Sequence, residues 1–284
     1  MKTYFEGSIN RLSKLILNYV SSNETFLEQS KKEKPEKVPF IIKSKYKIHT
    51  NEYQGHLFHT INEKSKNHKH IIYFHGGALC LNGGLPYWMM IDKWVKKTDA
   101  KLTYVLYPLI PKYTTSEIYD TSFEIYQMIS SLYSDDELIL LGDSAGGLVI
   151  LSILQLINQM NAKKPKEIIL LSPWIDYALK NPDIKVYEEH DKILSLARFE
   201  GFEVYDTIQK QKKIISPMEY TYDRKIYIYG GTGEMLYPDM LLFEEKNPKT
   251  DLKIFKDCPH VFMLFPMKQS DIVHRDIVSI IELL

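Results

Sequence analysis

The most informative stretch of the sequence is Leu138-Ile139-Leu140-Leu141-Gly142-Asp143-Ser144-Ala145-Gly146. Four apolar residues suited to a buried strand open it, and the apolar run over 147–157 that follows is long enough for a buried helix. The G-x-S-x-G pattern between them predicts a sharp turn that forces Ser144 outward, because a Cβ at either glycine would collide with the neighbouring strand and helix. The turn also puts the Ala145 amide at a helix N-terminus, where an unpaired N–H can bind a developing negative charge.

Strands and helices alternate on both sides of this turn. The predicted strands are 45–57, 71–74, 102–106, 138–141, 168–171, 226–229 and 252–255, and the predicted helices are 4–30, 87–97, 116–133, 147–157 and 269–284. Because alternation requires crossover connections, it predicts an α/β fold with a mostly parallel central sheet and helices on both faces. Sites in such folds lie on the loops that follow the carboxyl ends of the strands.

Two segments stand outside the alternation. Residues 1–45 are expected to form an N-terminal helical segment and a charged, proline-broken linker, and residues 46–284 the main domain. We expect the N-terminal helix to pack on the chain's own core as part of a small helical cap; binding to a membrane or a partner is the alternative. The charged stretch 177–213 is predicted to be an insertion that adds to the cap, with a loose surface excursion as the competing interpretation.

Composition narrows the class of substrate. Thirty-six basic residues balance thirty-six acidic ones, so no overall positive field attracts nucleic acid or anionic lipid. No stretch approaches the ~18 apolar residues of a membrane-spanning helix, and polar residues interrupt the first 21 positions where a signal peptide would be apolar. The two cysteines, Cys80 and Cys258, imply no disulfide framework. We expect a cytoplasmic protein with a neutral small-molecule substrate; the oligomeric state stays open.

An outward serine becomes a nucleophile only beside a base that a carboxylate orients. In this arrangement the acid and then the histidine follow the serine along the chain. Of the three histidines after Ser144, His190 lies in the insertion and His274 in the final helix, where a surface histidine is usually just solvated. His260 follows the strand 252–255 directly, so it is the predicted general base.

The acid is expected on the loop that follows the strand 226–229. Two carboxylates on that loop qualify, Glu234 and Asp239. Glu234 lies nearer the end of the strand and is the predicted orienting acid, whereas Asp239 is placed to cap the following helix and remains the alternative.

A second glycine-rich turn, His75-Gly76-Gly77-Ala78, follows the strand 71–74. Glycines there let backbone amides point into a site without side chains in the way. The amides of Gly76, Gly77, Ala78 and Ala145 are predicted to form an oxyanion hole, in which one donor is typically worth ~3 kcal/mol. His75 and Asp143 are expected to support the geometry of these loops.

The combination of motifs resembles the hormone-sensitive-lipase-like branch of the α/β-hydrolases, which includes many bacterial carboxylesterases. The resemblance covers roughly residues 70–284 and rests on His75-Gly76-Gly77-Ala78, Tyr107-Pro108-Leu109-Ile110-Pro111 with Asp120, Gly142-Asp143-Ser144-Ala145-Gly146-Gly147, Leu171-Ser172-Pro173-Trp174-Ile175-Asp176 and His260-Val261-Phe262. It implies a serine esterase of uncharged acyl esters, with Ser144 as nucleophile, His260 as base and a carboxylate at Glu234. It also implies a cap over the acyl pocket and chemistry that needs no metal or organic cofactor.

The chain departs from that family in two positions of the site. Ala78 stands where the family has a third glycine, and Glu234 stands where it usually has aspartate. The same three residues would also suit an amidase, a deacetylase or a peptidase, and a non-catalytic binding protein on this scaffold is a third alternative. Short or medium acyl chains are the expected substrates.

Overall fold

The computed structural model describes residues 24–207 and 214–284. Within them eight strands form one sheet in the order β1-β2-β4-β3-β5-β6-β7-β8. The strands are β1 His49–Tyr53, β2 His56–Ile61, β3 Lys69–Phe74, β4 Lys101–Val105, β5 Glu137–Asp143, β6 Glu167–Leu171, β7 Ile226–Gly231 and β8 Thr250–Phe255. β1 pairs with β2 and β2 with β4 in antiparallel fashion, and every other pair is parallel. The predicted mostly parallel α/β sheet is confirmed.

Helices cover both faces of this sheet. They are α1 Phe26–Ser30, α2 Phe40–Lys43, α3 Leu85–Thr98, α4 Thr115–Leu132, α5 Ala145–Gln159, α6 Ile184–Glu188, α7 Tyr237–Lys246 and α8 Lys268–Glu282, with short 3-10 helices at Leu196–Phe199, Phe202–Tyr205 and Phe262–Leu264. The apolar sides of α4, α5 and α7 pack into the core on one face, and those of α3 and α8 into the core on the other. The sheet is therefore buried on both sides where it carries the site.

The central strands are continuous apolar runs in the sequence because both of their faces are buried. Along β3, Ile72 and Phe74 point into one core while Ile71 and Tyr73 point into the other, and none of the four is exposed. Side chains alternate across a strand, so a strand covered on both faces needs an apolar residue at every position.

The predicted single strand over 45–57 is wrong. The structure has a hairpin, in which β1 and β2 are joined at Gln54 and Gly55, whose φ angles are +50° and +86°. Two consecutive left-handed residues make the turn whose twist matches an antiparallel pair of strands. The lone glycine in that stretch marked the turn, and the strand pattern on either side of it belongs to two strands.

The predicted helix over 4–30 lies mostly outside the described residues, since 1–23 are not among them. In the described part the helix starts only at Phe26, because Thr25 has an extended backbone and acts as its N-cap. The Thr25 hydroxyl accepts the Glu28 amide at 3.1 Å, and the Glu28 carboxylate accepts the Thr25 amide at 3.0 Å. This capping box stops any helix from running through Thr25, so the prediction fails at that point.

Phe26 of the N-terminal segment packs against the insertion. Its ring lies 5.0 Å from that of Phe199 and 6.3 Å from that of Phe202, both in edge-on contact. The described part of the insertion, 177–207, holds α6 and two of the 3-10 helices, and 208–213 lie outside the described residues. The division into 1–45 and 46–284 stays a prediction. Among the helices of 24–207 and 214–284, none combines the length and the apolar character that a membrane crossing requires.

Candidate active site

Ser144 occupies the tight turn between β5 and α5. Its backbone has a positive φ of +48° with ψ −118°, a strained conformation for a residue with a Cβ. A Cβ on Gly146 would lie 2.0 Å from the Phe74 carbonyl oxygen, and one on Gly142 would lie 2.8 Å from the same atom. Only glycine therefore fits on either side of this serine, which explains why the motif takes this form.

His260 and Ser144 meet although 116 positions separate them in the sequence. The loop after β8 carries His260, whose Nε2 lies 2.9 Å from Ser144 Oγ. Its Nδ1 lies 2.7 Å from Glu234 Oε2. A carboxylate can only accept, so Nδ1 carries the proton and Nε2 is left as the acceptor for the serine hydroxyl. The imidazole is almost fully buried.

Glu234 lies on the loop after β7 and is completely buried. Its Oε1 accepts the Gly231 amide at 2.7 Å and the Ser172 hydroxyl at 2.8 Å, which leaves Oε2 for His260. The extra methylene of glutamate does not prevent this contact. Three donors therefore hold the buried carboxylate, two on Oε1 and His260 on Oε2.

Asp239, the alternative acid, lies in the first turn of α7 and faces elsewhere. Its Oδ1 accepts the Asn181 side-chain amide at 2.9 Å, and it caps no helix end. Burial raises the pKa of Asp239 to about 6, and the bond from Asn181 lowers it in part. The structure brings Glu234, rather than Asp239, to the imidazole of His260.

The turn 75–78 presents backbone amides to the same pocket. Gly77 has φ +107°, and a Cβ there would lie 2.3 Å from the Leu81 carbonyl oxygen. Ala78 follows with φ +54°, so its backbone adopts the left-handed conformation despite its Cβ. The amides of Gly77, Ala78 and Ala145 donate to no acceptor within 24–207 and 214–284. Gly77 and Ala78 line the pocket together with Ser144, which puts unpaired donors next to the serine.

Gly76 does not fit its predicted place in the oxyanion hole. Its amide donates to Asp143 Oδ1 at 3.0 Å and is therefore engaged inside the protein. A Cβ at Gly76 would lie 2.3 Å from Asp143 Oδ2, so glycine is required there for close approach. The Gly76 amide thus holds the turn in place, and the amides of Gly77, Ala78 and Ala145 remain as the candidate donors.

Asp143 joins the serine turn to the turn 75–78. Besides Gly76, its carboxylate accepts the hydroxyl groups of Tyr73 and Tyr87, the latter at 3.0 Å. Burial raises the pKa of Asp143 to about 6, while these three donors and the nearby His260 lower it. Tyr73 and Tyr87 were not singled out from the sequence, where a tyrosine on a strand or helix resembles any other core aromatic.

His75 contacts the same turn and is fully buried. Its Nδ1–H donates to the Gly76 carbonyl at 2.6 Å, and its ring stacks on Tyr107 at 4.5 Å between centroids. Burial lowers the pKa of His75 to about 4, so the ring is neutral near pH 7. Its contacts therefore orient the turn and involve no hydrogen bond to Ser144, Glu234 or His260.

The other two histidines that follow Ser144 lie away from it. His190 is exposed in the insertion. His274 is not solvated, contrary to expectation: it is 7% exposed, its Nε2–H donates to the Met263 carbonyl at 3.0 Å, and its Nδ1 accepts the Trp94 indole at 3.2 Å. It faces the core because α8 packs on α3.

An apolar pocket opens over Ser144 and His260. Trp174, Phe26 and Phe199 line it, and Phe199 makes edge-on contacts at 5.0 Å with both other rings. Arg198 also lines the pocket, with its guanidinium 4.1 Å above the Phe26 ring and donating to the Ile193 carbonyl at 2.6 Å. No group of three or more His, Cys, Asp or Glu side chains gathers to hold a metal ion anywhere in 24–207 or 214–284.

Sequence reasoning missed Ser172 and Asp191. Ser172 bonds Glu234, and Asp191 in the insertion accepts the Met235 amide at 2.8 Å, next to the same glutamate. Ser172 stood in the motif Leu171-Ser172-Pro173-Trp174-Ile175-Asp176, directly after β6 at the edge of the sheet where the loops meet, but it was given no role there. Nothing in the charged run around Asp191 distinguished it from its neighbours.

The sequence of this chain is similar to those of known proteins. A family model described as alpha/beta hydrolase fold matches residues 71–264. An esterase from Acinetobacter venetianus is 27% identical over 190 residues, and the match covers 65% of this chain and 63% of that protein. The carboxylesterase/phospholipase LipF of Mycobacterium tuberculosis is 29% identical over 130 residues, or 45% of this chain and 33% of LipF. The matches therefore span less than two thirds of the length of these relatives.

Solved structures share the fold over more of the chain. A candidate esterase from Staphylococcus aureus superposes with a TM-score of 0.79 at 25% identity, covering 89% of this chain and 90% of that one. A hormone-sensitive lipase from a metagenome library superposes with a TM-score of 0.75 at 19% identity, covering 95% and 97%. With the family model matching well over half of its residues, the chain belongs to the alpha/beta hydrolase fold family.

Proposed function

We propose that this protein is a serine carboxylesterase that hydrolyses small, uncharged carboxylic esters. The observation that carries the proposal is the continuous contact from Ser144 Oγ through His260 to Glu234, at 2.9 Å and 2.7 Å, at the base of an apolar pocket. The esterases among its relatives support the same reaction class.

In the proposed first half-reaction, Ser144 Oγ attacks the ester carbonyl while His260 Nε2 takes the hydroxyl proton. The carbonyl oxygen becomes an oxyanion to which the amides of Gly77, Ala78 and Ala145 can donate, since these amides have no other acceptor among the described residues. His260 then gives its proton to the leaving alkoxide, and an alcohol departs from the acyl-enzyme. Glu234 stays ionised and stabilises the imidazolium.

In the second half-reaction a water molecule attacks the acyl carbon. His260 takes one proton of that water, the second tetrahedral intermediate collapses, and the proton returns to Ser144. The products are a carboxylic acid and a free enzyme. Every proton is moved by His260, and the residues named require no metal or organic cofactor.

The walls of the pocket favour an apolar acyl group of limited length. Phe26, Trp174 and Phe199 form a contiguous aromatic surface, and Phe26 comes from the N-terminal segment while Phe199 comes from the insertion. We propose that these two segments together form a cap that restricts the depth of the pocket. Short- to medium-chain esters are the proposed substrates.

A panel of p-nitrophenyl esters from acetate to laurate tests the proposal. kcat/KM is expected to be highest for short chains and to fall for long ones, and Ser144→Ala is expected to abolish turnover. A matched anilide of the best ester separates an esterase from an amidase, because the ester should turn over far faster. Absence of hydrolysis of every activated ester by the wild type would refute the proposal.

A further inference from the structure

One turn contacts Ser144, Glu234 and the loop that carries His260. The Leu171 carbonyl accepts the Ser144 amide at 2.9 Å, and the Ser144 carbonyl accepts the Trp174 amide at 3.0 Å. Between them, the Ser172 hydroxyl reaches Glu234 Oε1 at 2.8 Å. The turn at the end of β6 thus lies where the serine, the acid and the histidine loop converge.

The Ser172 hydroxyl donates one hydrogen bond and accepts another. An ionised carboxylate has no proton, so the hydroxyl must donate to Glu234. Its lone pair then accepts the amide of Val261 at 3.1 Å, and Val261 directly follows His260. A single oxygen atom therefore connects the acid to the loop that carries the base.

We propose, resting on the proposed function, that Ser172 is a positioning residue for the catalytic acid and base. Together with the Gly231 amide it holds Oε1 of Glu234, so that Oε2 stays directed at Nδ1–H of His260. Through Val261 it fixes the end of the loop that carries His260, where Val261 has a left-handed φ of +50°. Ser172 does not line the pocket, so its effect falls on turnover rather than on substrate binding.

The backbone of Ser172 supports a role for its side chain. Its φ is +43°, a left-handed conformation that glycine adopts with less strain, and its amide donates to the Tyr229 carbonyl at 2.7 Å. The side chain is completely buried. Glycine would adopt this backbone conformation with less strain than serine. It would, however, lack the hydroxyl that makes the two hydrogen bonds to Glu234 and Val261.

The test uses two variants, Ser172→Ala and Ser172→Gly, in the full chain. Alanine removes the hydroxyl, and glycine removes it while relaxing the backbone, so the second variant stays informative if the first folds poorly. Ser152→Ala is the matched control: Ser152 is also a buried serine, lies on α5, and bonds none of Ser144, Glu234 or His260. Active sites are counted with a stoichiometric fluorophosphonate, and kcat and KM are measured with p-nitrophenyl acetate.

Both Ser172 variants are expected to lose about 10- to 100-fold in kcat per titrated site with KM unchanged, and Ser152→Ala to match the wild type. A purely structural role would lower the number of titratable sites and leave kcat per site intact. Equal kcat per site in wild type, Ser172→Gly and Ser152→Ala would overturn the inference while leaving the proposed function standing. A wild type that neither reacts with the fluorophosphonate nor hydrolyses the ester would overturn the proposed function, and the inference with it.

Discussion

Glu234 Oε2 lies 2.7 Å from Nδ1 of His260, and this contact ties the loop after β7 to the loop after β8. The two loops follow β7 and β8, which are neighbouring parallel strands. Their pairing runs from Ile226 opposite Thr250 to Gly231 opposite Phe255. The carboxyl ends of these strands therefore bring a carboxylate and an imidazole together from separate parts of the chain.

That contact predicts which carboxylate matters. Glu234→Gln is expected to lower kcat by roughly 10²- to 10⁴-fold, because an amide can present its NH₂ to Nδ1 and favour the wrong tautomer. Asp239→Asn, matched in chemistry and in burial, should retain most of the activity, since Asp239 bonds Asn181 rather than His260. Steady-state kinetics on an activated ester compare the two, and the opposite ranking would show that Asp239 is the acid.

The role of His260 as the base predicts a lower rate in acid. A protonated imidazole could not accept the proton of Ser144, so kcat/KM should be lower at about pH 5 than at about pH 8. Circular dichroism at each pH serves as the control for unfolding. A folded protein whose rate stays constant over this range would contradict His260 as the base.

The three hydrogen bonds that the Asp143 carboxylate accepts should affect both stability and activity. In Asp143→Asn the side chain keeps one acceptor oxygen for the Tyr73 hydroxyl, the Tyr87 hydroxyl and the Gly76 amide, so we expect a loss of about 1–3 kcal/mol in the free energy of unfolding. The turn 75–78 should loosen, and kcat should fall with it. Urea unfolding and kinetics measure both effects, with the exposed Asp135→Asn as control. Unchanged stability and turnover would mean that these three bonds do not hold the turn.

The lowered pKa of buried His274 predicts that the protein loses stability in acid. Burial, with a smaller contribution from the nearby cation of Lys93, lowers the pKa of His274 from the ordinary 6.5 to about 4. Between these two values the unfolded chain binds a proton that the folded chain does not, so the free energy of unfolding decreases as pH falls from 6.5 to 4, by up to about 3 kcal/mol from this residue.

Urea titrations at several pH values test that contribution. His274→Gln should show a shallower dependence on pH in this window than the wild type, although it is less stable throughout because the bonds to Trp94 and Met263 are lost or weakened. His75, whose pKa is also about 4, contributes to the pH dependence of stability in both proteins, so the variant should retain part of it. Parallel curves for variant and wild type would show that His274 is protonated equally in the folded and unfolded states.

Local patterns were enough to predict the parts of the fold and site that short motifs encode. The turn at Ser144 follows from glycines whose Cβ atoms would collide with the Phe74 carbonyl, and the order of strands and helices follows from apolar runs. His260 and Glu234 could be selected because each follows a predicted strand. These inferences use only neighbours in sequence and one topological rule.

Contacts between distant segments were beyond that reasoning. Whether the Gly76 amide is free or bonded to Asp143 depends on how close two strand ends approach, and no pattern near Gly76 records it. Ser172 belongs to one of the motifs in the sequence, but the motif alone does not show that its hydroxyl bonds Glu234 and the Val261 amide. His274 seemed solvated because the helical period alone does not reveal that Trp94 covers it.

Covalent labelling is the most direct test of Ser144 as the nucleophile. The wild-type protein is treated with a fluorophosphonate and digested, and the modified peptide is identified by mass spectrometry alongside that of His260→Ala. We predict one adduct, on Ser144, loss of ester hydrolysis in proportion to its formation, and little labelling of His260→Ala. Ester hydrolysis that persists in the fully labelled protein, or an adduct on another residue that abolishes it, would show that Ser144 is not the nucleophile.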